Sequence, residues 1–150
     1  NQDVISSTAI RQLIAAGEVA TAQHMLGRAY TISGTVVLGN QRGNTIGFPT
    51  ANLALEATKI AVPSIGVYAV NVFIGGKCYM GMGNIGKNPT FGDVEEARLE
   101  VNIFDFNGNL YGKEITVAFI ERIRGEVKFT SVDALVEQIK KDKETCLNLL

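Results

Sequence analysis

Apolar positions fall into three regimes along the chain. From Ile10 to Leu26 they recur at helical spacing, first as Ile10, Leu13 and Ile14, then as Val19, Ala22, Met25 and Leu26. Ser6, Ser7 and Thr8 precede the first group and Gly17 closes it, which predicts a short helix between an N-cap and a C-terminal glycine. A second helix is predicted over Glu18 to Leu26, with Gly27 as its stop. From Ala29 the pattern turns to strands. Thr31 to Leu38 is rich in β-branched residues and is interrupted by Gly34, where a bulge is expected. Glu56 to Ile65 looks irregular, and Pro63 argues against a central strand there. Gly66 to Ile74 alternates well, Gly75-Gly76 is a hairpin signal, and Lys77 to Ile85 is the returning strand. Ala97 to Phe106 predicts the next strand, Asn107-Gly108-Asn109 a turn, and Leu110 to Arg124 a last strand bent near Gly112. Helical spacing returns at the end, with Val132, Leu135, Val136, Ile139, Cys146 and Leu147 on one face. Lys140, Lys141, Lys143 and Glu144 mark its wet side, and Thr130 with Asp133 reads as a capping box.

Strand–helix–strand alternation is missing, which disfavours Rossmann and P-loop folds. The expected class is mainly β: a small closed antiparallel barrel of about six strands, Greek-key-like, since closure leaves no sheet edge exposed. The barrel is expected to run to about residue 126 and a C-terminal helix to span about 131–148, with a short helical segment at the N-terminus. Gly81 and Gly83 leave bare backbone in a strand, which suits a barrel bend or the close approach of a ligand.

Chemistry concentrates between Gly39 and Asn52, where the chain reads GNQRGNTIGFPTAN. Gly39, Gly43 and Gly47 let backbone N–H groups converge on an anion, and Arg42 adds a charge-assisted donor suited to phosphate. Thr50 and Asn52 are two apart, so on an extended segment they share a face. A hydroxyl and an amide oxygen side by side are hard ligands of the kind Mg²⁺ accepts. An ordinary glycine-rich hairpin loop followed by a Pro-led edge strand accounts for the same residues.

Composition narrows the classes. A chain of 150 residues fits one domain. With 14 Lys and Arg against 15 Asp and Glu, the net charge is −1, which leaves no basic surplus to suggest nucleic acid as the main partner. No apolar run approaches the ~18 residues of a membrane span, and no signal peptide opens the chain. Two distant cysteines, Cys78 and Cys146, without a C-x-x-C pair, suit a reducing, cytoplasmic setting. The single histidine, His24, leaves zinc enzymes and histidine-dependent hydrolases without their residues. It is expected on the surface of a helix.

The segment GFPTAN resembles the signature of the riboflavin kinase family. Further stretches agree in order: Gly66-Val67-Tyr68, Asn84-Ile85-Gly86 with Asn88-Pro89-Thr90-Phe91, Leu99-Glu100-Val101-Asn102-Ile103, and Leu110-Tyr111-Gly112. The resemblance covers roughly Gly27 to the C-terminus. It implies transfer of the γ-phosphate of ATP to the ribityl 5′-hydroxyl of riboflavin, giving FMN and ADP, with Mg²⁺ as cofactor. By the same resemblance Gly39, Arg42, Gly43, Gly47, Thr50 and Asn52 bind the nucleotide, Thr50 and Asn52 also hold the metal, and Glu100 is the catalytic base. Asn84, Gly86, Pro89, Thr90, Phe91 and Arg124 are expected on the flavin side. Asn102 departs from the histidine that the family often carries.

Ile5 to Arg11, ISSTAIR, resembles the closing motif of the adenylyltransferase module that precedes riboflavin kinase in bacterial bifunctional FAD synthetases. Residues 1–26 are therefore expected to be a helical remnant or linker from that module, and residues 27–150 the kinase domain, covalently joined to an adenylyltransferase domain in the full protein. Two other readings compete. A regulatory barrel that binds flavin or nucleotide without transferring phosphate would be expected to have lost Thr50, Asn52 or Glu100. On the residue pattern alone, Glu100 is a solvent-facing strand residue and Arg124 a strand-end surface arginine. A barrel binding nucleic acid would need a basic face with exposed aromatics.

Overall fold

The structure is a computed structural model that describes residues 7–37, 50–55, 62–87, 97–104, 106, 110–125 and 130–149. Six strands among them close a barrel: β1 (Tyr30–Val37), β2 (Thr50–Leu55), β3 (Gly66–Ile74), β4 (Lys77–Lys87), β5 (Ala97–Ile103) and β6 (Glu114–Arg124). They run round the barrel in the order β1-β2-β5-β4-β3-β6, every neighbouring pair antiparallel. β3, β4 and β5 follow one another and β6 returns beside β3, which is the Greek-key arrangement. The expected barrel class holds.

Inside the barrel lie Leu53, Tyr68, Val70, Val72, Ile85, Leu99, Val101, Ile115, Val117 and Phe119. The Tyr68 and Phe119 rings meet edge to face at 5.4 Å. Gly81 and Gly83 serve this interior. A Cβ on Gly81 would stand 2.8 Å from the Asn102 carbonyl oxygen, and one on Gly83 would stand 3.2 Å from Val70. Their bareness lets β4 bend against β5 and β3. Gly75 and Gly76 both take positive φ, at 55° and 85°, as a two-residue hairpin turn requires.

Two helices cap the barrel. Helix α1 (Ser7–Ala15) ends where Gly17, at φ 83°, donates its N–H to Ile14 while Glu18 donates to Leu13. That pair of bonds satisfies the orphan carbonyls of the last turn. Helix α2 (Val19–Leu26) stops at Gly27, which is left-handed at φ 77°. Ile10, Ile14, Val19 and Ala22 are buried in the same cluster as the barrel interior. These helices thus share the barrel's core. His24 is exposed, as expected, but so is Leu26.

Helix α3 (Val132–Leu149) lies on the outside of the barrel. Cys146 and Ile139 pack there with Val67, Ala69, Met82, Phe104 and Ile123. Lys143 stands over the Phe104 ring at 5.2 Å. The cap is Ser131, whose Oγ accepts the Ala134 N–H at 3.1 Å, rather than Thr130. Val132 and Leu147 are exposed, because the buried stripe runs Ile139, Asp142, Cys146 and turns them away.

Other expectations shift. β1 stays in register with β6 through Gly34, so no bulge forms there; Leu53 fills the space beside it. The irregularities are on β6, against β3, beside Ile120 and Ile123. β6 starts at Glu114 because Tyr111 and Gly112 form a turn, with Gly112 at φ 81° and donating to Val36. β5 ends at Ile103 rather than Phe106, and Phe106 packs toward the barrel interior.

Candidate active site

One cross-strand row carries most of the described candidates. Asn52 on β2 is opposite Glu100 on β5, Glu100 is opposite Asn84 on β4, Asn84 is opposite Val67 on β3, and Val67 is opposite Arg124 on β6. Directly opposed residues point to the same side of a sheet. Leu53, Leu99 and Ile85, one position along, fill the barrel, so this row faces outward, the side on which α3 packs. Strand alternation thus converts a period of two in sequence into a shared outer surface.

Within the row, burial differs. Asn52 is 5% exposed, and its Oδ1 is buried without a hydrogen-bond partner among the described residues. A buried amide oxygen left unpaired costs free energy, on the order of 1–3 kcal/mol, unless something else meets it. Asn84 is exposed, and Glu100 is half-buried. Arg98, two residues earlier on the same face, holds Glu100 through Nε to Oε1 at 3.1 Å. Two residues apart on a strand, Arg98 and Glu100 fall on one side by its period of two, but the ion pair has no signal in the sequence. Thr50 sits opposite Asn102, two residues before Asn52. Asn102 is buried.

Arg124 is engaged by α3. Its Nε donates to both oxygens of Asp142 at 3.1 and 2.9 Å, Nη2 lies 2.7 Å from Oδ2, and Nη1 donates to the Gly125 carbonyl. Gln138 adds a donor to Asp142 Oδ1 at 2.9 Å. Asp142, 2% exposed, was missed by the sequence reading. Its signal was a charge seated on the apolar stripe between Ile139 and Cys146. Cys146 is fully buried beside it. Burial first, and the Asp142 carboxylate second, push its thiol up to about 12.

Gly39, Arg42, Gly43, Gly47, Pro89, Thr90 and Phe91 lie outside the described residues. Gly86 lies on β4 opposite Arg98, next to the row. Among the described residues no group of three or more His, Cys, Asp and Glu could hold a metal ion. Asn52 Oδ1, without a partner among the described residues, is a neutral oxygen of the kind a hard cation accepts. No helix among the described residues is long and apolar enough to cross a membrane.

Known proteins are similar to this chain over most of its length. The sequence model of the riboflavin kinase family matches residues 26–150. The bifunctional riboflavin kinase/FMN adenylyltransferase of Bacillus subtilis is 46% identical over 145 residues, covering 95% of this chain and 46% of the relative. That of Escherichia coli K12 is 44% identical over 142 residues, covering 94% of this chain and 44% of the relative. The chain thus spans a little under half the length of these relatives. A crystal structure described as a macrolide-efflux protein from Streptococcus pneumoniae superposes with a TM-score of 0.89 at 49% identity, over 99% of this chain and 48% of the other. The riboflavin kinase of Trypanosoma brucei, at 24% identity and a TM-score of 0.56 over 80% of this chain and 78% of the other, shares the fold. With the family match over most of its length and the barrel in place, this chain belongs to the riboflavin kinase family.

Proposed function

We propose that this chain transfers the γ-phosphoryl group of ATP to the ribityl 5′-hydroxyl of riboflavin, releasing FMN and ADP. The observation that carries the reading is the pair at the head of the row: a buried, unpaired amide oxygen on Asn52 directly across the ladder from the half-buried carboxylate of Glu100. Phosphoryl transfer asks for positioning, charge neutralisation and one proton acceptor, and little covalent chemistry from the protein. Asn52 and Thr50 would hold Mg²⁺, which when bound supplies positive charge to the phosphate oxygens. Gly39, Arg42, Gly43 and Gly47 would cradle those phosphates through backbone N–H groups and one guanidinium.

Glu100 takes the proton from the 5′-hydroxyl as that oxygen bonds to the γ-phosphorus. The bond from phosphorus to the oxygen bridging to ADP breaks, and ADP leaves with that electron pair. Arg98 holds the carboxylate at 3.1 Å through Oε1, which limits its rotamers and leaves Oε2 to take the proton. Asn84, Gly86, Pro89, Thr90, Phe91 and Arg124 would form the flavin side. In its bifunctional relatives the kinase is one of two activities on a chain about twice as long. We take this chain to be the kinase part of such a protein, joined to an adenylyltransferase domain.

The test is direct. Purified chain with riboflavin, ATP and Mg²⁺ should form FMN and ADP in equal amounts. Flavin binding without ADP formation would replace the enzyme by a non-catalytic flavin-binding barrel.

A further inference from the structure

We infer that Asp142 is a positioning residue for the flavin side of the site, acting through Arg124. The inference rests on the proposed kinase reading. Asp142 is the buried charge of α3 among the described residues, 2% exposed on a stripe that otherwise carries Ile139 and Cys146. An apolar side chain there would continue the stripe of Ile139 and Cys146 that packs on the barrel. Replacing a buried ion pair by well-packed apolar residues is often neutral or stabilising, so the pair is a weak source of stability.

What the pair does supply is orientation. Three donor contacts fix the guanidinium plane on the carboxylate, Gln138 fixes the carboxylate, and Nη1 fixes the Gly125 carbonyl. Arg124 ends β6 directly after the irregularity beside Ile123, where the ladder to β3 is disturbed and the backbone is least constrained by pairing. Arg124 is also the far end of the row that begins at Asn52 and Glu100. Asp142 thus ties a loosely paired strand end, and the side chain on it, to a rigid helix.

The experiment uses the full chain and four variants: Asp142→Asn, Asp142→Leu, Arg124→Met and the double variant Arg124→Met/Asp142→Leu. Riboflavin KM, kcat, riboflavin affinity by flavin fluorescence and Tm are measured for each. Asp142→Leu should raise KM for riboflavin about tenfold or more, the scale of lost charge-assisted hydrogen bonds, with kcat changed less than KM. Asp142→Asn, which keeps an acceptor oxygen, should fall between it and the native chain. In the Arg124→Met background, Asp142→Leu should add no further rise in KM, the non-additivity of residues acting as one unit. The double variant should recover Tm, because no buried charge is left unpaired, while its KM stays high.

A double variant that recovers both Tm and KM would make the pair merely structural. Native KM in Asp142→Asn and Asp142→Leu, with KM raised only in Arg124→Met, would leave Arg124 acting without Asp142. A native chain that binds riboflavin without phosphorylating it would overturn the kinase reading, and the inference would then be decided by whether Asp142→Leu weakens that binding. A native chain that does neither overturns both.

Discussion

Asn52 and Glu100 stand opposite each other across the β2–β5 ladder, the amide buried with Oδ1 unpaired among the described residues and the carboxylate pinned by Arg98 at 3.1 Å. A buried acceptor without a partner among the described residues, beside an acid held in place by a cation, is the arrangement on which the proposed site rests. The remaining expectations follow from how each neighbour supports or surrounds that pair.

The amide oxygen predicts a metal effect. Asn52→Leu and Thr50→Val should abolish FMN formation while circular dichroism remains native. For Asn52→Leu, Tm should hold or rise, because the unmet polar atom is gone. Native turnover by either variant at limiting Mg²⁺ would remove that residue as a ligand. Titration of Mg²⁺ with bound ADP gives a readout independent of turnover, and Asn52→Leu should weaken it.

The N-terminal helices predict a stability effect. Ile10, Ile14, Val19 and Ala22 sit in the barrel's own cluster, and each large apolar side chain so buried contributes roughly 1.5–3 kcal/mol. Deleting residues 1–26 should therefore lower Tm sharply and reduce the soluble yield, where a free linker would be dispensable. The intact chain should still make no FAD from FMN and ATP, since Ser7, Thr8 and Arg11 would serve a site that the rest of an adenylyltransferase domain must complete. FAD in that assay would overturn the reading of residues 1–26.

Gly17 marks where these helices meet the barrel. A Cβ there would collide with Ser64 Oγ and stand 2.8 Å from Arg122 Cδ, at a φ of 83°. Arg122 is itself fixed through Nη2 to the Ile65 carbonyl at 2.9 Å, so it has little room to move. Gly17→Ala should cost about 1–2 kcal/mol in backbone strain alone, with overpacking added, and lower Tm by several degrees. An unchanged Tm would mean that the α1–α2 turn is not seated against β6.

How much of this was legible in the chain differs by element. The faces of β3 and β5 were readable because a period of two assigns every residue to one side, so Glu100 and Leu99 separate without any tertiary information. The glycine hairpin at Gly75 and Gly76 was readable because positive φ favours glycine. Asp142 was not, since a charge on a helix is assigned to water until a partner such as Arg124 arrives from another element. The irregularities beside Ile120 and Ile123 carry no local signature, being set by how β6 curves past β3. Gly34 carried a signature that was satisfied differently, by the approach of Leu53. Arg98 falls on Glu100's face by the same period of two, but only the structure shows it bonded to Glu100.

The two thiols should differ. Cys78 is exposed and Cys146 is buried, so a thiol reagent at mildly alkaline pH should label one site in the native chain and both after unfolding. Cys146 also predicts a pH effect, because burial and Asp142 carry its thiol from 9.0 up to about 12. In the folded chain the proton stays on sulfur, while in the unfolded chain it leaves above about pH 9. The unfolded state then binds fewer protons, so stability is full below pH 9 and falls as pH rises toward about 12. Denaturant melts across this range should show a shallower fall for Cys146→Ala than for the native chain. Equal slopes would mean that another group governs the alkaline limit.

Glu100 carries the chemistry of the proposed reaction. A ribityl hydroxyl is a poor nucleophile at neutral pH, and a positioned acceptor for its proton is worth about 10²–10⁴-fold in rate. Glu100→Gln keeps the shape and one acceptor oxygen but cannot take the proton, so kcat should fall by about two orders of magnitude or more. Riboflavin and ATP affinities should stay near native, because the amide still fits between Asn52 and Asn84 on the row. Arg98→Met provides the control for geometry. It leaves the carboxylate but frees its rotamer, so it should lower kcat by less than Glu100→Gln and spare KM. Arg98→Lys should restore part of that loss, since a cation can again reach Oε1. If Glu100→Gln keeps native kcat, Glu100 is a solvent-facing strand residue, and positioning with charge neutralisation must account for the rate. If instead Arg98→Met falls as far as Glu100→Gln, the guanidinium itself meets the substrate, and the ion pair at 3.1 Å is a resting contact that substrate binding breaks.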